Sequence, residues 1–237
     1  MQWTSAAQTH TGNVRDHNED SVISLPSVGV WAVADGLGGH SKGDVASRTV
    51  VDYLSTVDFD TQQDSAVTQF YQAVLDAHTA LVALGDKEQD MTGSTVVGIV
   101  ALETSIAILH AGDSRAYLWR NGRLSRETKD HTLVTDLLRA GQLTPEEAAH
   151  HQSGHVLSRA IGQPEPLELE IAEVNIKGGD RVLLCSDGLY GELADAEIGV
   201  HLSEGRVANS VMRLIQEALN RRCPDNVSAI VVDFSYA

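Results

Sequence analysis

Apolar and polar positions along this chain change period several times, and each change marks an element. Residues 2–9 and 21–24 alternate weakly, as half-buried strands do, and the uninterrupted apolar run Val28–Ala34 reads as a strand buried on both faces. From Ser41 the spacing turns helical. Val45, Ala46, Thr49, Val50, Tyr53 and Leu54 share one face, and Val67, Phe70, Tyr71, Val74 and Leu81 form the stripe of a second helix. Strand candidates return at Ser94–Ala101, Ser105–Ala111 and Ser114–Trp119, with Asn121-Gly122 as a tight hairpin turn into Leu124. Adjacent strands joined this way form a meander, not a series of parallel crossovers.

A more polar helical stretch follows, with Leu133, Leu137 and Ala140 on one face and Gly141 as its stop. Thr144-Pro145-Glu146-Glu147 then restarts a helix as a capping box with proline in the first turn. This stretch, about 131–155, is expected to be a partly exposed flap beside the functional site, ending near His155. Strands at Leu167–Ile176 and Arg181–Ser186, a helix carrying Val207, Val211, Leu214, Ile215 and Ala218, and a last strand Val227–Phe234 complete the chain. Strands in antiparallel blocks with helices in pairs predict an α+β fold, sheet packed on sheet with helices outside.

The apolar runs are bordered by acids: Asp35-Gly36 after VGVWAVA, Gly112-Asp113 after SIAILHA, Asp187-Gly188 after RVLLCS, and Asp225-Asn226 before VSAIVV. Near the N-terminus, RDHNED adds Arg15, Glu19 and Asp20. A single Asp-Gly is ordinarily a hairpin signal, but DGLGGHSKGDVAS leads into a helix and DGLYGELAD into helix-prone sequence, so these aspartates have no turn to make. Carboxylates delivered from separate strand ends converge only where cations neutralise them, which predicts an oxygen-ligated, polynuclear divalent-metal centre. Gly36 fits it, since a residue without Cβ lets its carbonyl approach an ion. An arginine beside such a cluster suits bidentate capture of phosphate oxygens. GLGG at 36–39 lacks the lysine spacing of a P-loop, no GxSxG elbow is present, and His151 and His155 lack the partners of a zinc site.

Composition narrows the class further. The 237 residues are 42% hydrophobic, enough for a substantial core, and the acidic signals span nearly the whole length, so 1–237 reads as one domain. With 17 Lys and Arg against 33 Asp and Glu, a net charge of −16 argues against nucleic acid or an anionic membrane as partner. The first residues lack a basic, apolar leader and no segment approaches a membrane span, so a cytoplasmic protein is the expectation. Cys185 and Cys223 supply no disulfide framework, although each lies two residues before a candidate ligand, where a redox pair is conceivable.

The order RxxNED, ADGLGGH, HAGDSRAYL, TKDHTLV, LSRAIG, LLCSDGLY and DNVSAIVV closely resembles the metal-dependent serine/threonine protein phosphatases of type 2C, short bacterial members above all. The motifs cover residues 12 to 233. The resemblance implies a four-layer α-β-β-α sandwich with the metal centre at one end between the sheets. It implies one Mg²⁺ or Mn²⁺ on Asp35, Asp187 and Asp225, a second on Glu19, Asp35 and the Gly36 carbonyl, Asp20 as a supporting acid, and an optional third ion on Asp113 and Asp187. A water activated between the ions would attack phosphorus while Arg15 grips the phosphoryl oxygens. Many eukaryotic relatives carry a histidine directly after the DG as proton donor. Here that position is Leu37, which leaves His40 or a metal-bound water for the task. The implied partners are phosphorylated proteins and a cognate bacterial Ser/Thr kinase, and the implied state is a monomer. A non-catalytic phosphoprotein-binding pseudophosphatase and a small-molecule phosphomonoesterase are the alternatives.

Overall fold

A computed structural model describes residues 1–38, 42–60, 63–88 and 92–235. Among these residues, eleven strands and seven helices follow one another as β1 (Gln2–His10), β2 (Asp20–Leu25), β3 (Val30–Gly38), α1 (Gly43–Ser55), α2 (Gln63–Glu88), β4 (Thr92–Ser94), β5 (Val96–Ala101), β6 (Ser105–Ala111), β7 (Arg115–Arg120), β8 (Arg123–Arg126), α3 (Leu133–Arg139), α4 (Pro145–Ala149), β9 (Glu170–Asn175), β10 (Arg181–Cys185), α5 (Asp187–Tyr190), α6 (Asp195–Ser203), α7 (Val207–Leu219) and β11 (Val227–Ser235). They build a five-stranded sheet in the order β1-β11-β10-β7-β8 and a six-stranded sheet in the order β2-β3-β5-β6-β9, with β4 beside β3. Every pairing is antiparallel.

The continuous apolar strands are explained by burial on both faces. In β3, Val30, Ala32 and Ala34 pack under α1 and α2, whereas Trp31 and Val33 face the other sheet. In β11, Val227, Ala229 and Val231 pack under α7, whereas Ile230, Val232 and Phe234 face inward. Three apolar layers thus separate four layers of structure: α1/α2, six-stranded sheet, five-stranded sheet, α6/α7. Among the described residues no helix is long and apolar enough to cross a membrane.

Local signals hold where they rest on stereochemistry. Asn121 and Gly122 take φ values of 51° and 81° in the β7–β8 hairpin, and Gly141 takes 69° after α3. Thr144 caps α4 with the reciprocal Glu147 bond of a capping box. The flap root is closed by the Leu133 N–H on the Val156 carbonyl, and by a bridge between Thr132 and Leu157.

Two expectations need correction. Asp35 does not lie beyond its strand: β3 continues to Gly38, pairing Asp35 with Asp20 and Gly36 with Ser94. The strand expected over 94–101 divides at Thr95 into β4 and β5, because the Thr95 N–H turns to the Asp35 carbonyl, at 2.8 Å.

A carboxylate-lined cleft at one end of the sandwich

The acids meet where strands of both sheets end. Asp20 opens β2 and faces Asp35 in β3, Asp113 follows β6, Asp187 follows β10 and Asp225 precedes β11. Arg15, Glu19, Asp35, Gly36, Asp113, Asp187 and Asp225 all line one cleft of about 260 Å³, together with Leu37 and Leu157. Five carboxylates there face the one lining cation, Arg15, among the described residues. Arg15 sits exposed at the mouth, and its Nη2 donates to Asp225 at 2.7 Å. His40 lies outside the described residues, while Leu37 sits in β3 opposite Gly93 and offers no proton.

Concentrated charge in a partly dry cleft resists ionisation. Burial, then Asp20, Asp187, Asp113 and Asp225, raise Asp35 well above the usual carboxylate range. Burial and Asp225 raise Asp187, and burial and Asp187 push Asp113 up to about 7. Asp20, behind the lining, is also pushed up to about 7 by burial. Its Oδ2 accepts from Ser186 and Ser228, each at 2.7 Å, yet its buried Oδ1 has no hydrogen-bond partner among the described residues.

That unpartnered oxygen and the surplus of carboxylates fit divalent cations with their water. A second fit lies where β3 meets α1. A Cβ on Gly43 would stand 2.7 Å from Glu19 Cδ, 2.8 Å from Glu19 Oε1 and 2.8 Å from the Gly36 carbonyl oxygen. These oxygens therefore converge over a bare backbone, and Gly36 itself leaves no room, since its Cβ would fall 1.9 Å from the Gly43 oxygen. Zinc-type ligation is a poorer match, because among the described residues the lining holds no Cys or His.

Asn226 holds the N-terminal loop in place. Its Oδ1 accepts the Glu19 N–H at 2.8 Å, and its Nδ2 donates to the carbonyls of Thr11 and His17. The Asp35 carbonyl accepts from the Ser94 hydroxyl as well as the Thr95 N–H. Sequence reasoning assigned no role to Asn226, Ser94, Thr95, Ser186, Ser228 or Gly43. Small polar residues at strand ends carry no pattern of their own, and only the Asn adjoining a candidate ligand gave a signal. The side-chain partner of Arg15 is no neighbour in sequence but Asp225, 210 positions away. The two cysteines are free thiols, buried in the same apolar layer.

A family model described as protein phosphatase 2C matches residues 9–227. The chain is 38% identical over 230 residues to the serine/threonine protein phosphatase PstP of Mycobacterium tuberculosis, covering 96% of this chain and 44% of that protein. It thus spans under half the length of this curated relative. It is 31% identical over 236 residues to the serine/threonine phosphatase stp of Listeria innocua, covering 95% of this chain and 94% of that one. A solved catalytic domain of PstP in complex with two manganese ions superposes with a TM-score of 0.87 at 37% identity, covering 99% of each chain.

Proposed function

The chain belongs to the protein phosphatase 2C family, and from that premise we propose that it hydrolyses phosphoserine and phosphothreonine on proteins with Mg²⁺ or Mn²⁺, reversing a bacterial Ser/Thr kinase. The observation that carries the proposal is the cleft itself: five carboxylates and one arginine around a space of about 260 Å³, backed by a buried carboxylate oxygen with no partner. In this reading Asp35, Asp187 and Asp225 hold one ion, Glu19, Asp35 and the Gly36 carbonyl hold the other, and Asp113 with Asp187 takes an optional third. When bound, the ions supply Lewis-acid charge and an activated water for in-line displacement at phosphorus.

The remaining work falls to the chain. Arg15 keeps one nitrogen on Asp225 and presents the rest of its planar fork at the cleft mouth, where it binds phosphoryl oxygens and stabilises the charge that builds on them. Asp20, fixed by Ser186 and Ser228, keeps its free oxygen as a proton acceptor behind the ligands. Leu37 and Leu157 give the cleft its apolar walls. Since Leu37 has no acidic proton to give, the leaving serine or threonine oxygen would take its proton from His40 or from a metal-bound water. The test is hydrolysis of phosphothreonine peptides by the purified protein with Mn²⁺ and with EDTA. Mn²⁺-dependent phosphate release is expected, and its absence across a peptide panel refutes the proposal.

A further inference from the structure

Away from the cleft lining, His110, His131 and Glu170 bring one ligand atom each to within 4.8 Å of one another, the one such trio among the described residues. The hydrogen bonds show what it is for. His131 Nδ1 accepts the Gly112 N–H at 3.2 Å, so the neutral ring carries its proton on Nε2, which faces Glu170 Oε2 at 3.2 Å. His110 Nε2 faces the Lys129 carbonyl at 3.0 Å and must likewise be protonated. The rings stack 9° from parallel with centroids 4.6 Å apart. A cation on His131 Nε2 would have to displace the proton that the Gly112 bond requires there. The trio is therefore not a metal site but a carboxylate–histidine–amide chain ending on the turn that carries Asp113.

Other bonds hold the same turn. The His131 N–H donates back to the Gly112 carbonyl at 2.9 Å, and the Tyr190 hydroxyl donates to the Asp113 carbonyl at 2.9 Å. The Arg115 guanidinium lies 3.5 Å from the centre of the Tyr190 ring and is itself held by Asp130 through two bonds of 2.9 and 2.7 Å. Gly112 has φ of 102°, and a Cβ there would strike Thr95. Tyr190 ends α5, the helical turn that begins with Asp187. The backbone on either side of Asp113 is thus fastened both to the flap root at His131 and to the turn bearing Asp187.

We propose that His131 and Tyr190 are positioning residues that preset the Asp113 carboxylate for the weakest of the bound cations. The inference rests on the reading of Asp113 as a cation ligand, and the experiment separates the two. Mn²⁺ binding to the full chain is measured without substrate, by equilibrium dialysis with electron paramagnetic resonance of free Mn²⁺. Asp113→Ala removes the weak class of sites. Tyr190→Phe and His131→Leu each weaken that class roughly tenfold, the scale for losing a group that orients a ligand, with the tight class little changed. His131→Asn, which keeps an acceptor where Nδ1 was, restores most of the loss. If Asp113→Ala leaves every class intact, the ligand reading falls and the positioning role with it. If Asp113→Ala removes the weak class while Tyr190→Phe and His131→Leu bind like wild type, or weaken both classes alike, the positioning role alone is refuted.

Discussion

Gly43→Ala tests the site at a residue that ligates nothing. Gly43 is the first residue of α1 and its φ is not in the left-handed range, so alanine there meets no backbone penalty of its own and acts through what its methyl touches. The new methyl carbon would stand 2.7 Å from Glu19 Cδ, whereas carbon–carbon contact is optimal from about 3.5 Å. The Glu19 carboxylate must therefore retreat by about 0.8 Å, and the Gly36 oxygen is pressed at 2.8 Å from the other side. Misplacement of about 1 Å at a reacting centre lowers rates roughly 10²-fold. The expected outcome is a loss of that order in kcat/KM on a phosphothreonine peptide, with a higher Mn²⁺ requirement. The melting temperature in EDTA should change little, because the Glu19 side chain is free to swing aside when no ion holds it. Glu19→Ala in the same chain should add little, because the carboxylate has already left. Wild-type turnover with unchanged Mn²⁺ dependence would show that Glu19 and Gly36 do not hold an ion. A lowered melting temperature in EDTA would show that the methyl disrupts the fold rather than the ligands.

Asp187→Asn should abolish peptide turnover yet leave the melting temperature in EDTA unchanged or higher, since it removes a carboxylate whose ionisation burial and Asp225 oppose; retained turnover contradicts the ligand role. Arg15→Ala should lower kcat/KM roughly 10²-fold with little change in Mn²⁺ binding, and Arg15→Lys should recover only part because a point charge cannot replace the fork. Metal-free stability should fall as pH rises: Asp20 and Asp113 move from 3.8 unfolded to about 7 folded and Asp35 and Asp187 are raised with them, four groups that outnumber His78, His110 and His131, which burial lowers in the opposite sense. Scanning fluorimetry in EDTA across pH 4–8 checks this, and a melting temperature that climbs through the window contradicts it. Mn²⁺ should accordingly raise the melting temperature more at pH 8 than at pH 5, because protons compete with it for the same oxygens.

Where apolar periodicity is strong, the chain could be read directly. The doubly buried β3 and β11 and the amphipathic stripe of α7 were all legible, because each face has a distinct packing partner. The short α6 was not, and α5 showed only as helix-prone sequence after Asp187-Gly188. In α6 only Ile198, Gly199 and Leu202 are buried while Val200 is 67% exposed, so its apolar pattern does not match its packed face. At the cleft, the candidate ligand acids stood out because charge beside apolar runs is costly to bury and therefore conspicuous. Their supports did not, because Ser186, Ser228, Asn226, His131 and Tyr190 acquire meaning only from partners remote in sequence: Ser186 reaches across 166 positions and Ser228 across 208 to the same oxygen.

Asp20 and Asp35 belong to the six-stranded sheet, Asp113 lies on the turn from β6 to β7 that joins the two sheets, Asp187 and Asp225 flank β10 and β11 of the five-stranded one, and the hydroxyls of Ser186 and Ser228 cross the gap to Asp20. The cleft is thus a seam between two slabs, and its dimensions are whatever the slabs' relative slide and tilt make them. That slide is set by the inner layer, where Trp31, Ile99 and Ile108 of one slab mesh with Leu184, Ile230 and Val232 of the other. Residues that line no part of the cleft therefore act as its gauge, and a change of side-chain volume in that layer would shear one half of the seam past the other.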